Sequence, residues 1–267
     1  MADESHQFPL RGLRYAATLG ISGTGGARYR RWSSTQTCHT QIVLFLTVPT
    51  AGNRNGLLTA LIEDSGLPLS QIIVIATRAN ARVPTHVRVV EDFAEPNIQR
   101  WWLRGIELAE QLGATKIAVS NDDVSIDAET LPLLANALTE TQAAIASPSR
   151  PPFRDGLHKR WLIPYEPRLW GSLWMLDVHS DLRPDTRYRW WYGDNDLDIR
   201  ARRDYGGVVL APVTFHHHHP GEGTSKSPQL EALTRLDAAR FESQYARLLR
   251  RSRLVNRLYG GLLTSRR

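Results

Sequence analysis

The sequence predicts an α/β protein built on a mixed, mainly parallel sheet flanked by helices. Residues 42–48 (IVLFLTV) and 71–77 (QIIVIAT) are nearly unbroken apolar runs rich in β-branched side chains, which is typical of strands buried on both faces. These runs alternate with helical patterns, and such alternation favours a parallel sheet with helices on its faces. Ligands of such sheets bind at the carboxyl ends of the strands, so the residues after each strand are the first candidates for function.

The order of the first elements is β-α-β-β-α-β-α-β. Strands are predicted over residues 42–48, 71–77, 86–90, 116–120, 144–147 and 205–215, and helices over residues 56–64, 97–113 and 128–138. The helix over 97–113 has apolar residues at helical spacing and Gly113 at the stop position. One long amphipathic helix is predicted from about residue 229, with Phe241, Tyr245, Leu248 and Val255 on one face.

The chain of 267 residues is 42% hydrophobic and 22% charged, which indicates one substantial globular core. Its apolar runs are far shorter than the roughly 18–20 residues of a membrane span. Residues 1–7 lack the pattern of a signal peptide, and the single Cys38 excludes an intramolecular disulfide framework. These features predict a cytoplasmic protein with a basic irregular extension (1–40), a central domain (41–225) and an Arg-rich helical extension (226–267).

The charge balance indicates an anionic partner. Lys and Arg number 33 against 27 Asp and Glu, and most of the cations are Arg. Guanidinium groups match phosphates and carboxylates, so nucleic acid, a phosphorylated substrate or a membrane surface would suit this chain. The alternative is that Arg replaces Lys through codon usage alone.

Two acidic clusters carry the clearest chemical signals. Asn121, Asp122 and Asp123 directly follow the strand over 116–120, and paired carboxylates there suit Mg²⁺ or Mn²⁺ bridging a diphosphate. A solvated turn that caps the next helix is the alternative. The second cluster, over 194–198, follows three aromatic residues, where partial desolvation would raise a carboxyl pKa and suit a general base. The first turn of a helix is the alternative there.

Two further features lie after predicted strands. Residues 216–219 are four consecutive histidines, of which at most two can address one site, because successive strand residues point to opposite faces. One of them could bind a metal, or the run could be an exposed polar segment. Thr50, Asn53 and Arg54 lie in the first strand-to-helix turn, where backbone amides and Arg can meet a nucleotide phosphate or base.

Together these pieces resemble the inverting nucleotide-sugar glycosyltransferases of the family 2 type, which have the Rossmann-like GT-A fold. The matching segments are TVPTAGNRNGLLTAL (47–61), QIIVIATRAN (71–80), NIQRWWLRGIELAEQLGATKIAVSNDDVSI (97–126), WGSLWML (170–176) and WYGDNDLDIRARRDYGGVVLAPVTFHHHH (191–219). The resemblance implies a nucleotide-diphosphate sugar as donor and Mn²⁺ or Mg²⁺ as cofactor.

On the donor side, the resemblance assigns roles residue by residue. Asp123 would bind the metal, with His218, or else His216, as the second protein ligand. The other donor contacts that it implies are Pro49, Thr50 and Arg54 at the base and ribose, Arg78 and Asn80 beside the base, Arg104 at the diphosphate and Asp122 near the sugar. Asn121 stands where the family's acidic motif usually has its first Asp.

On the acceptor side, Asp194 matches the family's catalytic base, and Gly193 stands where a Glu usually precedes it. The step from Trp170 to Gly171 would approach the acceptor or the sugar. Trp191 and Asp196 are further predicted acceptor contacts.

The acceptor class stays open at this point. An Arg-rich C-terminal helix and the basic, aromatic segment over 158–170 would suit a modified DNA base or an anionic glycan or glycolipid. A protein or small-molecule acceptor is a further possibility. From a different class, the chain could be a catalytically silent α/β module that binds nucleic acid.

Overall fold

The central sheet has eight strands in the order β3-β2-β1-β4-β8-β6-β9-β7. The computed structural model describes residues 42–160, 162–221 and 227–264, so the extension predicted over 1–40 lies outside the described residues. The strands of this sheet are β1 (Leu44–Thr50), β2 (Ile72–Ala76), β3 (Arg88–Glu91), β4 (Lys116–Ser120), β6 (Ile145–Pro148), β7 (Gly156–His158), β8 (Leu173–Asp177) and β9 (Val208–Ala211). A separate antiparallel pair joins β5 (Val124–Ser125) to β10 (His216–His217).

The helices are α1 (Asn55–Asp64), α2 (Ile98–Gln111), α3 (Thr130–Thr141), α4 (Gly193–Asp204), α5 (Pro228–Gln244) and α6 (Ala246–Thr264). The Asn97 side chain caps α2 by accepting from the Arg100 amide at 2.9 Å, and Ser227 caps α5 in the same way. None of the helices in the described ranges is long and apolar enough to cross a membrane.

The pairing of strands makes the sheet mixed. Strands β3, β2, β1 and β4 run parallel to one another, whereas β8 runs antiparallel between β4 and β6. The sequence predicted no strand over 148–192, so β7 and β8 were missed. The predicted fold class, a mixed and mainly parallel sheet flanked by helices, is confirmed.

The two faces of the sheet bury separate apolar layers. Along β1, Leu44, Leu46 and Val48 pack with α1 and α3, while Phe45 faces the opposite layer formed by α2 and α4. Each fully buried aliphatic side chain of this kind stabilises the fold by about 1.5–3 kcal/mol. Burial on both faces explains why the strand reads as an unbroken apolar run.

Two predicted elements differ in the structure. The strand predicted over 205–215 is only Val208–Ala211, and the histidines beyond it pair with β5 instead. The single helix predicted from residue 229 is wrong, because the chain breaks at Tyr245 between α5 and α6. The Tyr245 hydroxyl donates to the buried Asp196 carboxylate at 2.6 Å, and Phe241 and Tyr245 pack against Tyr188 and Ile199. The C-terminal helices therefore dock on α4.

Candidate active site

The first part of the site lies at the edge of the sheet where β1 and β4 end. Thr50 closes β1, and its hydroxyl donates to Asp122 Oδ2 at 2.6 Å, across 72 positions of sequence. Burial raises the pKa of Asp122, and the hydrogen bond from Thr50 opposes that rise. The structure thus brings two predicted donor-site residues into contact.

Asp123 is the more buried of the two adjacent carboxylates, with 1% of its surface exposed. Its Oδ2 pairs with the Arg54 guanidinium, which also lies 3.7 Å from Asp122 Oδ1. Burial acts to raise the pKa of Asp123, but the His217 imidazole and the Arg54 guanidinium outweigh it and hold the pKa below its ordinary value. Asp123 is therefore an anion at neutral pH.

The β5–β10 pair decides which histidine meets Asp123. Because His217 is in register with Val124, its Nε2 lies 3.2 Å from Asp123 Oδ1. His218 instead hydrogen-bonds Ser125 Oγ through Nε2 at 2.7 Å, and His216 is exposed. The sequence-based preference for His218 and then His216 thus differs from the structure, which places His217 against the carboxylate.

The donor atoms at this edge fit a metal shared with a substrate. Asp123 Oδ1 is buried and accepts no hydrogen bond from the described part of the chain, although His217 Nε2 is close. Within the described part of the chain, no group of three or more His, Cys, Asp or Glu side chains is placed to hold a metal ion by itself. Mg²⁺ and similar ions are often bound by one or two carboxylates, with substrate phosphates and water completing the shell. Asp123 and His217 suit such a shared site.

The second part of the site is the Asp194 carboxylate in the first turn of α4. It touches the backbone at Gly171, where an added Cβ would lie 2.8 Å from Asp194 Oδ2. Burial raises the pKa of Asp194, and the hydrogen bond from the Asn195 amide and the charge of Arg150 oppose that rise. A carboxyl group with a raised pKa beside a cleft suits general base catalysis.

One neighbour of each carboxylate lines a cavity of about 280 Å³. The two neighbours are His217, next to Asp123, and Trp170, next to Gly171 and hence to Asp194. The Trp170 ring packs edge-to-face on Phe215 at 5.7 Å, and the Arg150 guanidinium lies 4.3 Å from its centroid. The cavity therefore has aromatic side chains in its lining, and Asp123 and Asp194 lie behind His217 and Trp170.

The packing around Gly193 leaves no room for a side chain. The buried Gln99 side chain of α2 occupies the space beside it, and a Cβ on Gly193 would lie 2.1 Å from Gln99 Cδ. The glutamate that usually stands at this position in the resembling family would therefore collide with Gln99.

Other predicted donor residues lie at the same edge but make fewer contacts. Arg78 and Asn80 are exposed in the turn after β2, and Pro49 is buried within β1. Gly52 has a φ of +74°, and a Cβ there would lie 2.3 Å from Arg82 N, so the turns after β1 and β2 touch.

Three further predicted contacts, Arg104, Asp196 and Trp191, have other surroundings. Arg104 pairs with Asp92, beyond β3, at 3.1 Å. Asp196 is completely buried and accepts from Arg200, Gln244 and Tyr245, so its carboxylate anchors α5 and α6 to α4 rather than facing an acceptor. Trp191, just before α4, is 44% exposed.

Sequence reasoning missed three residues that the structure brings to the site: Gln99, Arg150 and His217. Gln99 lies in the segment over 97–126 that carries the resemblance, but no local pattern singles it out. The histidine run marked His217 only as one of four. Arg150 adjoins a predicted strand, and its position after that strand was the available signal.

Comparison of the whole chain with solved structures shows the architecture. The chain matches residues 1–349 of S. aureus TarS with a TM-score of 0.54 and 12% identity, covering 81% of this chain and 72% of that one. It matches the TarS structure in complex with UDP-GlcNAc with a TM-score of 0.53 and 13% identity, covering 74% and 66%. The chain has the GT-A fold. No protein-family model matches the sequence, and no curated protein matches it.

The resemblance inferred from the sequence motifs is thereby confirmed at the level of fold. In this GT-A fold the Asp122–Asp123 pair follows β4, at the carboxyl edge of the parallel strands, and Asp194 begins the helix that precedes β9. Ligands of open α/β sheets bind at that edge. The Asp122–Asp123 pair thus lies where ligands of such sheets bind.

Proposed function

We propose that this chain is a metal-dependent, inverting glycosyltransferase that moves a sugar from a nucleotide-diphosphate donor to an acceptor hydroxyl. The observation that carries the proposal is the cavity of about 280 Å³ that has His217 and Trp170 in its lining. His217 lies beside an ionised carboxylate at Asp123, and Trp170 precedes Gly171, which lies beside a carboxyl group of raised pKa at Asp194. A charge-neutralising site and a base site near one cavity are what single-displacement sugar transfer requires.

The donor would lie at the carboxyl edge of β1, β2 and β4. The base and ribose would meet the touching turns after β1 and β2, and the diphosphate would approach Arg54, whose guanidinium already faces Asp122 and Asp123. Arg binds phosphate oxygens with a planar fork of donors, which suits this place. That TarS has been solved with UDP-GlcNAc supports a nucleotide sugar as the ligand.

Asp123 and His217 would hold Mn²⁺ or Mg²⁺ together with the donor phosphates. When bound, a divalent ion neutralises the charge that builds on a leaving diphosphate. The buried Asp123 Oδ1 accepts no hydrogen bond within the described residues, and it would supply the oxygen ligand.

Asp194 would act as the base. It accepts the proton from the acceptor hydroxyl as that oxygen attacks the anomeric carbon from the face opposite the diphosphate, which inverts the configuration. The transition state is oxocarbenium-like, as in other glycosyl transfers. The Arg150 charge opposes the effect of burial on Asp194 and favours the ionised form that accepts a proton.

The proposed acceptor is anionic, either a hydroxylated DNA base or a glycan or glycolipid. Support comes from α6, whose Arg247, Arg250, Arg251, Arg253 and Arg257 are exposed. Arginines spaced along one helix can follow a phosphate-bearing polymer or surface. The same feature favours the second candidate, a non-catalytic nucleic-acid-binding module.

A thermal-shift panel of nucleotide sugars, including UDP-GlcNAc and GDP-mannose, with and without Mn²⁺, tests the proposal. A donor at 100 times its Kd adds about 2.7 kcal/mol to the folded state, or a rise in Tm of about 5–10 °C for a chain of this size. The shift should require Mn²⁺ and disappear in Asp123→Asn. The matched control is Asp127→Asn, which removes a nearby exposed carboxylate and should keep the shift.

Absence of a shift with every nucleotide sugar would contradict the proposal. If plain DNA then bound with strong salt dependence, the non-catalytic candidate would replace it.

A further inference from the structure

The segment just before the candidate base is held by a carboxylate from the C-terminal helices. Asp237 of α5 is 1% exposed and accepts hydrogen bonds from three consecutive backbone amides. The Arg189 amide donates to Oδ1 at 3.1 Å and to Oδ2 at 3.0 Å, and the amides of Trp190 and Trp191 donate to Oδ2 at 2.7 and 3.0 Å. Successive amides that converge on one anion form a backbone nest.

The same segment is fixed from its other side by α2. The Ile98 amide donates to the Arg189 carbonyl at 2.7 Å, and the Asn97 side chain donates to the Thr186 carbonyl at 2.9 Å. The Trp190 ring packs edge-to-face on Trp101 at 6.2 Å. The backbone of residues 189–191 therefore lies between α2 and α5, and Asp237 meets its amides.

The anchored segment leads directly into the turn that starts α4. Tyr192 has a φ of +65°, a conformation that non-glycine residues keep only when their surroundings enforce it. Its ring stacks on Phe241 at 5.0 Å, one turn after Asp237 on α5, and its carbonyl accepts from the Asp196 amide. Asp194 is the second residue after this turn.

We propose that Asp237 is a positioning residue for the candidate base: by fixing the backbone of residues 189–191, it sets the Tyr192 turn and so places the Asp194 carboxylate against Gly171. The C-terminal helices are then part of the machinery for sugar transfer, in addition to any contact that their arginines make with an acceptor. This inference rests on the proposed role of Asp194, but its structural step is measurable without any activity.

Amide hydrogen exchange of Asp237→Asn tests the structural step. Asn keeps the size of the side chain, removes the charge and replaces one of the two accepting oxygens with an amide NH2 group, which cannot accept from the backbone amides. We expect exchange to be roughly tenfold faster or more at residues 189–191 and also at 194–196, with strands β1 and β4 unchanged. The matched control is Glu231→Gln on the same helix, whose side chain is half exposed and lies 3.8 Å from Arg235; it should leave both segments unchanged.

Release of nucleoside diphosphate, from whichever nucleotide sugar the wild-type protein binds with Mn²⁺, tests the catalytic consequence. Asp237→Asn should lower kcat about tenfold or more while the KM for donor changes less than about twofold, because the proposed donor contacts Arg54, Asp123 and His217 lie on other elements. A loss of fold would instead reduce donor binding and kcat together.

Exchange that quickens only at 189–191, with 194–196 as in the wild type, would overturn the inference even if kcat fell. A wild-type protein that binds no nucleotide sugar would defeat the proposed function, while the exchange experiment would still decide the positioning step. If Asp237→Asn does not fold, Phe241→Leu removes the ring that stacks on Tyr192 and keeps the carboxylate. It should quicken exchange at 194–196, and unchanged exchange there would overturn the inference.

Discussion

Substitution of Gly171 by Ala is a direct probe of the Asp194 assignment. The new Cβ would lie 2.8 Å from Asp194 Oδ2 and 3.2 Å from Asp194 Cγ, and the φ of Gly171 lies outside the left-handed region, so the backbone tolerates Ala. The clashing atoms are the end of a flexible side chain. The carboxylate, rather than the sheet, should therefore move.

The size of the movement sets the expected loss. To regain ordinary van der Waals contact, the carboxylate must retreat by roughly 0.6 Å. A misplacement of about 1 Å costs on the order of a hundredfold in rate, so kcat should fall about ten- to a hundredfold. That loss corresponds to about 1.4–2.7 kcal/mol in the activation barrier.

The assay is release of nucleoside diphosphate from the donor that the thermal-shift panel identifies, together with the donor Kd and the Tm. We expect kcat to fall while Kd and Tm stay near wild type. Gly56→Ala is the matched control, because a Cβ there meets nothing within 4 Å. A Gly171→Ala protein with wild-type kcat would refute the contact between Asp194 and the reacting acceptor.

Three further outcomes are expected. Asp194→Asn should lower kcat by about a hundredfold or more. Because burial raises the folded-state pKa of Asp194, the substitution should also raise Tm at neutral pH: the protonated acid stabilises the fold below the unfolded-state pKa, and that contribution is lost as pH rises through the folded-state pKa. A Tm gain that persists at low pH would contradict this reasoning. His217→Ala should weaken Mn²⁺-dependent donor binding by roughly tenfold or more. The control is His218→Ala, which loses the Ser125 hydrogen bond and ring contacts with neighbouring histidines but leaves His217 beside Asp123. Titration of the Mn²⁺ requirement in the thermal-shift assay checks this, and equal effects of the two variants would count against it. Gly105→Ala places a Cβ 1.9 Å from the buried Thr47 Oγ1, so the free energy of unfolding should fall by about 1–3 kcal/mol. Urea denaturation measures this loss. An unchanged midpoint would mean that β1 and α2 can move apart at no cost in stability.

Local sequence patterns were sufficient to predict the elements whose residues repeat the same buried environment along the chain. β1 and β2 are buried on both faces, so every residue in them is apolar or small, and the unbroken runs predicted them to within two or three residues. In α2, one buried stripe recurs at helical spacing, and Asn97 caps its start. The sequence also placed Thr50, Asp122 and Asp123 after strands that lie side by side, which is why part of the donor edge was predictable.

Tertiary contacts decided the strand order, the register of β10 and the choice among similar side chains, because such contacts join residues far apart in sequence. β8 inserts antiparallel between β4 and β6, and the register of β10 against β5 selects His217 from four equivalent histidines. Asp196 and Asp198 look like Asp194 in sequence, yet Asp196 faces α5 and α6, Asp198 pairs with Arg202 at 3.2 Å, and Asp194 alone of the three touches Gly171. A helical turn sends neighbouring carboxylates in different directions, and only the packed elements around it determine which one lies beside Gly171.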